Sequence, residues 1–123
     1  MMKMELTKAE EQVMQILWKL EKAFVKEIIS EMPKPKPAYN TVSTIVRILE
    51  EKGIVAYSSF GKSHQYYPNL SKEQYTDFQL NKITTNYFKG NFANLVSFFV
   101  KENNVDIAEV EFLLNKIKEG DNE

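Results

Sequence analysis

The sequence predicts a mainly α-helical protein with one small β-hairpin, three helices before the hairpin and three after it. Three observations lead there. Apolar residues recur at helical spacing through most of the 123 residues. Thr7-Lys8-Ala9-Glu10 and Ser71-Lys72-Glu73-Gln74 each have the form in which a hydroxyl and an acidic or amide side chain satisfy free backbone donors at a helix start. Between Ile54 and Pro68 the pattern turns strand-like and is broken once, at Gly61-Lys62.

The first helix begins near Thr7 and carries Val13, Ile16, Leu17 and Leu20 at helical spacing. A second, shorter helix is expected from about Val25 to Met32, where Pro33 stops it. Pro33-Lys34-Pro35-Lys36-Pro37 cannot lie inside a helix and reads as a stiff connector. A third helix runs from about Ala38 to Lys52, with Pro37 at its start and Gly53 supplying the left-handed residue that ends it. Val42, Ile45, Val46 and Leu49 fall on one of its faces; Asn40, Thr44, Arg47 and Glu51 fall on the other, flanked by Thr41 and Ser43. Ile54–Phe60 and Ser63–Pro68 form the hairpin. Helices then follow from the Ser71 cap to about Phe88, from Phe92 to about Lys101, and from a cap at Asp106 and Glu109 onward.

Charge and composition narrow the function. Sixteen Lys and Arg against seventeen Asp and Glu give a net −1. The total hides two halves: ten against eight up to Leu70, six against nine from Ser71, and a local +3 between Met32 and Pro68. With no Cys, disulfides, thiolate nucleophiles and thiolate-bound metals are excluded. The single His64 leaves no imidazole pair for zinc or for a Ser/His constellation. Neither a cofactor nor an enzyme activity is expected. The most apolar stretch, Phe92 to Val100, is far too short to cross a bilayer, and no export signal marks the N-terminus, so the expected location is the cytoplasm.

Three helices followed by a two-stranded hairpin is the element order of a winged helix-turn-helix, whose third helix fits the DNA major groove while the hairpin reaches the adjacent backbone. The third helix suits that task. Asn40 can pair with adenine, Thr41 and Thr44 offer hydroxyls and a methyl group, and Arg47 can fork onto guanine or phosphate. A face selected only for helix stability would carry Glu, Lys and Ala instead. At the wing, Lys62 is placed to reach a phosphate, and His64 either adds a polar contact or simply decorates the hairpin. Gly61-Lys62-Ser63 matches the end of a phosphate-binding loop, but Ala56 occupies the position of its earlier glycine.

The stretch from Ala38 through Thr44, continuing over Leu49-Glu50-Glu51-Lys52-Gly53, closely resembles the penicillinase and methicillin-resistance repressor family (BlaI/MecI). The resemblance extends to Val13–Trp18, to Gln65-Tyr66-Tyr67 and to the segment from Gly90 to Val100. It implies a homodimer that represses transcription from a palindromic double-stranded DNA operator, with DNA contacts at Asn40, Thr41, Ser43 and Thr44. It also implies relief by cleavage in the C-terminal domain, with a membrane sensor metalloprotease, or the protease that it triggers, as a further partner. The family commonly has Arg directly before the leucine aligned with Leu49, where this chain has Ile48 and carries Arg47 one step earlier. The family's Asn-Phe cleavage bond aligns with Phe98-Phe99.

The expected organisation is thus a winged-helix DNA-binding domain over residues 1–70 and a three-helix dimerisation domain over 71–123. The second part carries more apolar side chain than so small a unit can bury by itself. Phe92, Leu95, Val96, Phe99, Val110, Leu113, Leu114 and Ile117 are the candidates for the dimer seam. A protein-interaction module and a regulator gated by a small molecule are the alternative readings.

Overall fold

The computed structural model describes residues 3–121. Its elements are α1 (Lys8–Leu20), α2 (Val25–Ser30), α3 (Tyr39–Glu51), β1 (Val55–Phe60), β2 (Ser63–Pro68), α4 (Lys72–Phe88), α5 (Phe92–Glu102) and α6 (Ile107–Asp121). The fold is therefore mainly helical with one antiparallel hairpin. None of these helices is long and apolar enough to cross a membrane.

Local chemistry sets the boundaries. Thr7 Oγ1 accepts from the Glu10 amide while Glu10 Oε1 accepts from the Thr7 amide, closing the expected box at the start of α1. Ser71 and Gln74 do the same for α4. Gly53 takes φ 81° just past α3, where a side chain would be strained. α2 is shorter than expected and stops at Ser30, with Glu31 as its C-cap. Its exposed carbonyls are collected by one cation: the Lys36 ammonium donates to the carbonyls of Ile29, Ser30 and Met32 at 3.2, 3.0 and 2.8 Å. Lys36 thus ties the connector back to the end of α2.

Two compact units divide within α4, between Phe78 and Gln79. In the first, α1, α2 and α3 pack on one another around Met14, Leu17, Ile28, Val42, Val46 and Leu49, all fully buried. The hairpin register pairs Val55 with Pro68 and Phe60 with Ser63, so the turn falls on Gly61-Lys62. Gly61 takes φ 62°, which the first position of a type II′ turn demands. Ala23 and Tyr66 exchange both backbone hydrogen bonds, at 2.9 and 2.8 Å, and so attach the α1–α2 loop to β2.

The start of α4 belongs to this first core. Tyr75 is buried, lies 5.7 Å from the Trp18 ring and donates its hydroxyl to Glu11 at 3.0 Å. Burial, reinforced by that carboxylate, pushes the Tyr75 phenol up to about 12. Trp18 Nε1 donates to the Leu70 carbonyl at 2.8 Å. A second tie fixes α3: the Lys52 ammonium donates to Glu10 at 2.7 Å and to the Glu5 carbonyl at 3.1 Å.

The second unit comprises the rest of α4 with α5 and α6. Asn91 and Asp106 side chains accept from the amides of Asn94 and Ala108 at the starts of α5 and α6. Among its described residues only Thr84 is buried, and its hydroxyl donates to the Leu80 carbonyl.

Candidate nucleic-acid interface

The polar face of α3 lies where helical periodicity puts it. Val42, Val46 and Leu49 are buried and Ile45 is half-buried, which turns Asn40, Thr41, Thr44 and Arg47 outward. Ser43 is half-buried on the flank. Thr44 donates its hydroxyl hydrogen to the Asn40 carbonyl at 2.8 Å, so its methyl group and oxygen lone pairs are what it presents outward.

An open groove of about 730 Å³ runs between α3, the start of α2 and the hairpin. Ser43 and Arg47 line it from α3, and Lys62 and His64 line it from the wing. The fold thus brings together four of the seven residues singled out in the sequence. Asn40, Thr41 and Thr44 lie on the exposed face of α3 outside that lining. His64 is half-buried, with its ring stacked on Tyr57 at 3.9 Å and 8° between planes. That stack fixes the imidazole against the Tyr57 ring.

Four residues that the sequence pattern does not single out also line the groove: Lys26 at the start of α2, Tyr39 at the start of α3, and Tyr57 and Phe60 on β1. The three aromatics carry no signal of their own in the sequence, where such side chains are ordinarily read as core. Glu27 and Glu50 share the groove, and the Glu27 carboxylate is held by the Phe24 amide at 2.8 Å. Tyr66, at the groove's inner wall, has its phenol raised, first by burial and then by the nearby Glu50 charge. It is therefore a neutral hydroxyl at any physiological pH.

In the second unit, Leu95, Val96, Phe99, Val110 and Leu113 line an apolar groove of about 530 Å³ between α5 and α6. Glu109 is its one charged wall residue. Phe92, Leu114 and Ile117 are each more than half exposed outside that lining. Phe98 packs on Phe88 at 5.6 Å while Phe99 faces the groove, so the Phe98-Phe99 bond sits inside α5.

Comparison with known proteins agrees with this geometry. The family described as the penicillinase repressor matches residues 6–119. The methicillin resistance regulatory protein MecI of Staphylococcus aureus (strain N315) is 32% identical over 113 residues, 90% of this chain and 91% of that protein. The penicillinase repressor of Bacillus licheniformis is 23% identical over 119 residues, 96% of this chain and 93% of that repressor. The solution structure of the DNA-binding domain of the repressor BlaI matches with a TM-score of 0.53 and 28% identity, covering 60% of this chain and 93% of that domain. With its family match spanning nearly every element from α1 to α6, the chain belongs to the penicillinase repressor family.

Proposed function

We propose that this chain is a homodimeric, sequence-specific DNA-binding repressor of antibiotic-resistance or related stress genes. It acts in the cytoplasm and is relieved by regulated proteolysis in its C-terminal domain. The observation that carries the reading is the groove that Arg47 of α3 and Lys62 of the wing both line. Cations from two elements facing one concavity suit a phosphate backbone that positions α3, while Asn40, Thr41, Ser43 and Thr44 supply base readout. In this reading residues 1–70 bind DNA and residues 71–123 form the dimer.

Dimerisation is supported by the second unit's lack of any buried apolar side chain among its described residues. Two copies reading adjacent half-sites match a palindrome. The eight seam residues, Phe92, Leu95, Val96, Phe99, Val110, Leu113, Leu114 and Ile117, then exchange water for a partner's side chains. Cleavage at Phe98-Phe99 requires α5 to unwind locally, because the bond lies within a helix. A membrane sensor metalloprotease, or the protease that it triggers, supplies that step in this reading, and the chain itself performs no catalysis.

Selection of bound sites from random duplex DNA tests the proposal. An enriched inverted repeat is the expected result; no enrichment over input removes the DNA-reading assignment, and an enriched single half-site removes the dimer.

A further inference from the structure

We propose that Phe60, at the tip of the wing, is a DNA-contacting residue whose ring packs on deoxyribose edges beside the phosphate that Lys62 reaches. The inference rests on the DNA-binding reading above and deepens it.

Phe60 is the last residue of β1 and is 56% exposed. One exposed phenylalanine is ordinary on a protein surface. Here it belongs to a group, since Tyr39 and Tyr57 line the same groove and are 51% and 38% exposed. The ring is also braced. Phe24, at the N-cap of α2, meets it edge-on at 5.8 Å, and Phe24 is itself held by its amide's bond to Glu27. A braced ring loses little freedom when a partner covers it, which favours binding.

Charge names the partner. Lys26, Arg47 and Lys62 line the groove against Glu27 and Glu50, and Glu27 is already engaged by the Phe24 amide. An excess of cations around apolar rings fits a polyanion that also offers apolar surface, and the sugar edges of duplex DNA provide it between phosphates. Position fits as well. Phe60 precedes Lys62 by two residues, a backbone span of at most about 7 Å, so a phosphate within reach of that ammonium brings its sugar to the ring.

The test uses the full chain and a duplex carrying the selected inverted repeat, titrated over a salt series. Phe60→Ser is expected to weaken binding about tenfold while leaving the slope of log affinity against log salt unchanged. Phe60→Leu, which keeps apolar bulk against Phe24, is expected to retain most of the affinity. A p-benzoylphenylalanine at position 60 is expected to cross-link to the duplex on irradiation, which tests the contact even where the serine variant does not fold. A folded serine variant that binds like the wild type, or no cross-link from a variant that still binds, overturns the proposal. Failure of the wild-type chain to bind any duplex overturns the parent reading instead, and the Phe60 assignment with it.

Discussion

The two units of this chain use comparable side chains to opposite ends. Among the described residues, the first unit buries fifteen apolar side chains, from Val13 to Tyr75. The second, built from helices that carry Phe92, Phe98, Phe99, Phe112 and Leu113, buries none, and each of those five is more than half exposed. Apolar content therefore does not distinguish the two units. What distinguishes them is whether the topology folds one apolar face onto another. α1, α2, α3 and the hairpin close on each other, whereas α5 and α6 leave an open groove. The first unit is a completed fold, whereas the second leaves its large apolar side chains exposed.

That contrast can be broken most directly at the groove. Phe99→Asp places a charge on its apolar lining and should weaken self-association at least about 100-fold, read by sedimentation equilibrium, while the first unit's thermal midpoint stays put. Undiminished association would show that the groove is not the seam. In the first unit the response should have a different form. Leu49→Ala should cost about 2–5 kcal/mol in urea denaturation followed by circular dichroism, equally at dilute and concentrated protein. A cost that changes with concentration would mean that this core depends on assembly as well.

Glu10→Gln probes how α1 holds α3, with an expected cost of about 2 kcal/mol at neutral pH. Burial alone raises the Glu10 carboxyl, but the Lys52 ammonium and the Thr7 amide and hydroxyl together outweigh it and hold the group below its ordinary 4.5. The resulting stability is present above that ordinary value and is lost as pH falls through the lowered one; the glutamine variant should lack this part of the acid transition.

The smaller effects concern binding alone. Thr44→Ala should cost about 1 kcal/mol on the selected operator and relax discrimination at one base pair, because only the methyl group and the oxygen lone pairs face outward. Competition titrations with base-substituted duplexes read it, and unchanged discrimination would remove the contact. Lys62→Ala should weaken all sequences alike, about threefold, and lower the salt slope by about one. A loss confined to one operator would contradict its phosphate role.

Much of the first unit was legible in the sequence because its signals are local. Each capping box spans four residues, the turn at Gly61-Lys62 follows from a glycine at a strand break, and the outward face of α3 follows from the spacing of Val42, Val46 and Leu49. What was not legible is long-range. Lys52 reaches Glu10 across 42 residues, and Tyr75 reaches Glu11 across 64. Periodicity carries no information about which polar groups will meet across the core. The candidate site divides the same way. α3 could be read from its pattern, but Tyr39, Tyr57 and Phe60 could not, because aromatics in such positions are ordinarily assigned to a core. Nor does the Pro/Lys connector announce that the Lys36 ammonium sits among the carbonyls of Ile29, Ser30 and Met32.

Trp18, described above for its hydrogen bond to the Leu70 carbonyl and its contact with Tyr75, is also the only indole in the chain. Its fluorescence therefore watches one place, where α1 meets the end of the hairpin and the first turns of α4. Emission from Trp18 responds when that junction opens and is silent about α5 and α6, whereas far-ultraviolet ellipticity weighs every helix. A gap between the two melting curves, recorded on unmodified protein, is thus an optical measure of how independently the two units come apart.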